Sequence, residues 1–144
     1  LLDRGLKTLD VRIERQCQSA LGIARWLEGH EQVARVNYPG LDSHPDREIA
    51  LAQLRAGGSM LSFVAKGGYE AAVRVADALQ EFARAPSLGG TESLITLPRT
   101  TSHHGLSEAE LETVGIDPGL VRLSIGLEPI ERLIADLAQS LSIG

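Results

Sequence analysis

Apolar residues recur at three- and four-residue steps from Leu6 through Leu9, Ile13, Cys17, Ala20, Leu21 and Ala24 to Leu27, which predicts one long amphipathic helix. Arg12, Glu14, Arg15 and Arg25 fall mainly between them, and Gly29 suits a helix stop. Gln32–Tyr38 then alternates as a short strand, and Pro39-Gly40 marks a turn. A second helix is expected from about Pro45 to Arg55, with the proline in its first turn and Ala56-Gly57-Gly58 ending it. Met60–Ala65 reads as a more buried strand, Gly67-Gly68 as a break, and Tyr69–Leu79 as a helix through Ala72, Val73, Ala76 and Leu79. The chain then stays mostly irregular to about Gly115. Short strands are expected near Phe82–Arg84 and Leu94–Thr96, and a short helix with Ser107 as its cap and Glu110 three residues on. Leu120–Ile125 alternates as a strand. The final helix, from about Pro129, has Ile130, Leu133, Ile134, Leu137 and Leu141 as its stripe. This order predicts an α/β fold of two layers, with helices packed on one face of a small, mostly antiparallel sheet.

Composition narrows the class. A chain of 144 residues is the size of one domain, and 43% hydrophobic residues suffice for a core. No apolar run is long enough to span a bilayer, and the start turns polar too soon for a signal peptide. The chain does not open on methionine, so a piece cut from something longer is expected. A net charge of −5, with Trp26, Tyr38, Phe63, Tyr69 and Phe82 as the only aromatics, speaks against a nucleic-acid partner. Cys17 is the sole cysteine and lies in the apolar stripe, which suggests an inert core thiol and a cytoplasmic setting.

Candidate chemistry concentrates between Pro86 and His104, a long polar connector. In Ser87-Leu88-Gly89-Gly90-Thr91-Glu92, adjacent glycines let backbone amides approach a carboxylate or phosphate. A plain turn between short strands accounts for the same pattern. Arg122 and Ser124 share a strand face opposite Val121, Leu123 and Ile125. A guanidinium there either grips a carboxylate through two parallel hydrogen bonds or sits on a solvated sheet face. His103 and His104 lack a third ligand at metal spacing and read as loop residues. Lys7 and Lys66, the only lysines, lack the desolvated surroundings of a Schiff-base lysine.

Four segments together resemble the Cys/Met-metabolism pyridoxal-phosphate enzymes: Arg4-Gly5-Leu6-Lys7-Thr8-Leu9; Tyr38-Pro39-Gly40-Leu41 with Ser43-His44-Pro45; Ser87–Leu94; and Val121–Glu128. That family includes cystathionine γ-synthase, cystathionine γ- and β-lyases, methionine γ-lyase and homoserine sulfhydrylases. The resemblance implies the C-terminal domain of an aspartate-aminotransferase-like (fold type I) enzyme. Residues 1–30 would be the linking long helix and 31–144 the small α/β domain, without the large domain that binds pyridoxal 5'-phosphate. It further implies a homotetramer acting on an amino-acid substrate, which joins the expectation from composition of a cytoplasmic protein with no nucleic acid or membrane partner. Arg122 would bind the substrate α-carboxylate, Ser87 and Leu88 would lie beside it, and Glu92 would lie near the distal end of the substrate. No Ser-x-Thr-Lys segment is present to carry the cofactor lysine. Ser102-His103 replaces the common Thr-His pair, and Arg99 a usually small residue. Transsulfuration chemistry is the expected activity, cystathionine γ-lyase or γ-synthase first, with methionine γ-lyase or homoserine sulfhydrylase as the alternative. A stand-alone module sensing a small amino acid is the competing class.

Overall fold

The computed structural model describes residues 1–143, apart from the Glu108 side chain; Gly144, the last residue of the expected domain, lies outside the described residues. Five strands form one sheet: β1 (Val33–Asn37), β2 (Met60–Ala65), β3 (Ala83–Arg84), β4 (Leu94–Thr96) and β5 (Leu120–Ser124), in the order β1-β2-β5-β4-β3. Every neighbouring pair is antiparallel except β3 with β4. The helices are α1 (Leu2–Leu6), α2 (Leu9–Glu28), α3 (Arg47–Gln53), α4 (Gly68–Ala78), α5 (Glu108–Thr113) and α6 (Ile130–Leu141), with a 3-10 turn at Pro98–Thr100.

Strand alternation decides which face is dry. Leu61, Phe63 and Ala65 of β2, Val121 and Leu123 of β5 and Ile95 of β4 point to one side. Against them pack Ala20, Ile23, Ala24 and Leu27 of α2, Ala72, Val75 and Ala76 of α4, and Leu133, Leu137 and Leu141 of α6. Each large side chain so buried contributes about 1.5–3 kcal/mol of transfer free energy. The expected two-layer architecture is therefore present, with α2, α4 and α6 as its helical layer. A buried carboxylate fixes one connection in that layer. Asp136 of α6 accepts the Gln80 and Glu81 N–H groups (3.0 and 2.8 Å), which turns the chain from α4 into β3.

Some boundaries differ from those expected. The long helix is broken at Lys7-Thr8 into α1 and α2. Gly5 is a poor helix former, and its carbonyl accepts the Arg12 guanidinium (3.1 Å) in place of a backbone N–H. The apolar stripe also divides: Cys17, Ala20, Ala24 and Leu27 are buried and Leu21 half-buried, whereas Leu6, Leu9 and Ile13 remain exposed. The second helix is shorter than Pro45–Arg55 and buries no residue, so its first turn begins beyond the proline. Ser107 and Glu110 form the expected capping box of α5, Glu110 accepting the Ser107 N–H at 2.8 Å. Ile125 lies one residue past the end of β5.

Candidate functional site

The sheet's other face is not an open solvated surface. Its register aligns Asn37, Ser62, Arg122 and Thr96 as successive cross-strand partners across β1, β2, β5 and β4. Ser124 lies two residues further along β5, opposite Met60 and Leu94. Thr96 and Ser124 are only 4% and 1% exposed. The covering comes from the glycine-bearing segment. The Gly89 N–H donates to Ser124 Oγ at 3.1 Å, and Gly89 adopts φ +74°, a left-handed conformation open to glycine. The Gly90 carbonyl accepts Gln16 Nε2 at 2.6 Å, which ties the segment to α2. This corrects one expectation: the Gly89 amide is committed to Ser124 and is not a free donor for an anion.

A second set of contacts anchors the far end of the segment. Ser93 is fully buried; its N–H donates to Glu128 Oε1 and its hydroxyl to Glu128 Oε2, both at 2.7 Å. Ser93 Oγ also accepts the Gly126 N–H at 2.9 Å, and the Leu127 N–H donates to the Thr91 carbonyl at 2.8 Å. Gly126 is required here by space. A Cβ would collide with the Thr91 carbonyl and stand 2.6 Å from the Glu92 carbonyl carbon.

Two residues before Ser124 on the same face of β5 lies Arg122, at the start of the segment. Its Nη2 donates to the Ser87 carbonyl (3.0 Å) and the Pro86 carbonyl (3.1 Å), with Thr96 Oγ1 at 3.5 Å. Among the described residues no carboxylate pairs with it, and its buried Nε has no partner. A half-buried guanidinium without a counter-charge is costly unless an anion completes it. Two neutral carbonyls hold one edge of the group, and the rest of it retains donor capacity for a carboxylate.

The structure thus brings Arg122 and Ser87 into direct contact. Leu88, next along, is 58% exposed. Glu92 is also exposed and lies beside Gly126, two residues past the end of β5. His103 Nδ1 contacts Ser102 Oγ (2.7 Å) and His104 Nδ1 the Thr101 carbonyl (3.0 Å), both in the exposed loop before α5. Lys7 pairs with Asp3 on the surface, and Lys66 is exposed at a turn. Neither is desolvated as a Schiff-base lysine would be, so the chain's own lysines do not fit a bound pyridoxal phosphate. Among the described residues no group of three His, Cys, Asp or Glu side chains is placed to hold a metal. No helix of the described residues is long and apolar enough to cross a membrane.

Sequence reasoning did not single out Thr96, Ser93, Gln16 or Glu128, which hold the segment in place. Gln16 carried a signal: it stands beside Cys17 on the side of α2 that turns inward, where a polar residue needs a partner. Glu128 belonged to a quoted motif but had no stated partner.

Known proteins of similar sequence and fold exist. A family described as Cys/Met metabolism PLP-dependent enzymes matches residues 1–142. The chain is 46% identical to an L-methionine gamma-lyase of Fusobacterium nucleatum subsp. polymorphum, over 96% of this chain and 35% of that protein. It is also 46% identical to a cystathionine beta-lyase of Coxiella burnetii, over 96% of this chain and 36% of that protein. A crystal structure of cystathionine gamma synthase from Xanthomonas oryzae pv. oryzae superposes with a TM-score of 0.91 at 42% identity, over 96% of this chain and 36% of that one. The chain spans about a third of the length of these relatives. The architecture is that of part of a fold type I pyridoxal-phosphate enzyme, and the chain belongs to the Cys/Met-metabolism PLP-dependent enzyme family.

Proposed function

We propose that this chain is the substrate-gripping part of a PLP-dependent lyase or transferase of sulfur amino-acid metabolism. The observation that carries the proposal is the Arg122 guanidinium, half-buried without a counter-charge and held on one edge by the Pro86 and Ser87 carbonyls. A substrate α-carboxylate supplies the missing anion through charge-assisted hydrogen bonds. Held there, the substrate has its Cα–H orientation set before chemistry begins, a proximity effect. The cofactor, when bound by the rest of the protein, supplies the electron sink. The residues of this chain position, and no chemical step is assigned to them.

Within that class we favour the cystathionine branch, a γ-lyase or γ-synthase. Gly90 is the residue that motivates this choice. A side chain at 90 would also stand 3.2 Å from the Glu92 carboxylate, where it would reshape the far end of the site. Comparing turnover of cystathionine and methionine by the full-length protein decides the branch, and methionine cleavage without cystathionine turnover reverses it.

Arg122→Ala in the full-length protein tests the grip. Losing one partner of a charge-assisted pair that the bound substrate closes over corresponds to a rise in KM of about thirtyfold. The cofactor absorption spectrum should stay unchanged. An unchanged KM, or loss of the cofactor spectrum, refutes the assignment.

A further inference from the structure

The guanidinium contacts described above set where Arg122 points, but they depend on something else. Its two carbonyl acceptors belong to Pro86 and Ser87, residues of a connector with no regular structure. The parallel pairing of β3 with β4 ends with the Ala85 N–H on the Ile95 carbonyl at 3.3 Å. Pro86 has no N–H with which to continue the ladder. The Ala85 carbonyl is taken instead by a side chain: Thr96 Oγ1 donates to it at 2.8 Å. Thr96 is buried, and register places it directly across from Arg122 on the same face. Because its hydrogen goes to Ala85, the hydroxyl presents a lone pair to Arg122 Nη2 at 3.5 Å. That contact is the longest of the three, so Thr96 acts chiefly through the stem it pins.

We infer that Thr96 is a positioning residue for the carboxylate grip: its hydroxyl fixes the Ala85 carbonyl and so sets the Pro86 and Ser87 carbonyls against which Arg122 is aimed. It touches no substrate atom. The cavity of about 150 Å³ beside it, lined by Ala85, Pro86, Thr96, Leu97 and the hydroxyl-bearing Thr100 and Thr101, leaves room for the stem to shift if the pin is lost. Thr100 and Thr101 do not replace the pin, since both donate to the Leu97 carbonyl (3.3 and 2.9 Å).

The inference rests on the proposed role of Arg122, and the test separates the two. Glycine and glycinamide are titrated against the full-length protein carrying its cofactor, read by the change in cofactor absorption. Glycine has no leaving group, and glycinamide lacks only the carboxylate charge. Arg122→Ala should weaken glycine strongly and glycinamide little. Failure of that selectivity overturns the Arg122 reading. With it intact, Thr96→Val, nearly the same volume without the hydroxyl, should weaken glycine about tenfold and leave glycinamide within about twofold. Thr96→Ser should restore glycine binding. Equal losses for both ligands, no loss for glycine, or no rescue by serine overturns the positioning role. If Thr96→Val fails to load the cofactor, Thr96→Ala is read by the same comparison and the same outcomes decide.

Discussion

Replacing Ser93 by alanine probes the latch that ends the glycine-bearing segment. The change removes one hydroxyl and leaves the backbone in place. Two contacts go with it: the 2.7 Å bond to Glu128 Oε2 and the 2.9 Å bond from the Gly126 N–H. The first is charge-assisted and contributes about 1.5–3 kcal/mol. Leaving the second group unpaired in a fully buried position costs about 1–3 kcal/mol. Glu128 keeps the Ser93 N–H at 2.7 Å and can shift its freed oxygen toward water, so the expected sum falls toward the lower part of that range, about 3 kcal/mol. Against a typical domain stability of about 5–15 kcal/mol this is a large fraction. Urea unfolding of wild type and Ser93→Ala measures it, with an unchanged m-value as the sign that the denatured state is the same. A double-mutant cycle with Glu128→Ala should show coupling above about 1 kcal/mol. A loss below about 1 kcal/mol, or an additive cycle, would mean that the latch does not hold this end of the segment.

Two further outcomes follow from the same geometry. Burial, with Cys17 as the smaller cause, pushes the Tyr38 phenol from 10.0 up to about 12. The folded state therefore binds that proton more tightly, so the contribution is complete below pH 10 and is lost as pH rises from 10 to about 12. The slope is about 1.4 kcal/mol per pH unit. Tyr38→Phe should lack this decline, and identical pH dependence of the denaturation midpoints in the two proteins would contradict it. Gly126→Ala should cost about 2–3 kcal/mol through overpacking, because the added Cβ meets backbone at Thr91 and Glu92. Faster amide exchange at Ser93 and Leu127 reports the displaced backbone, and wild-type exchange and stability in that variant would show that the segment yields freely.

How much was legible in the chain varied with the range of the interaction. The strand Met60–Ala65 and the stripe of α6 were readable because alternation and helical spacing are local consequences of burying one face. The capping box at Ser107 was readable for the same reason, since both partners lie within four residues. The break between α1 and α2 was missed because Leu6, Leu9 and Ile13 continue the helical spacing while the interruption arises from Gly5 and Arg12. Of the site, Arg122 and Ser87 were named from motifs that resemble a family, and spacing alone left each with an ordinary alternative. Thr96 and Gln16 could not be assigned a role, because their partners lie 11 and 74 residues away.

The order of residues alone therefore determined most of the elements, the apolar face of each and the four motifs that carry the family resemblance, because hydrophobic periodicity and capping act over a few residues. Tertiary structure alone decided that the Arg122 face is covered, that the Gly89 amide is occupied, and that the guanidinium meets the Pro86 and Ser87 carbonyls. Those outcomes depend on sheet register and on hydrogen bonds between segments more than 30 residues apart, which no local pattern encodes.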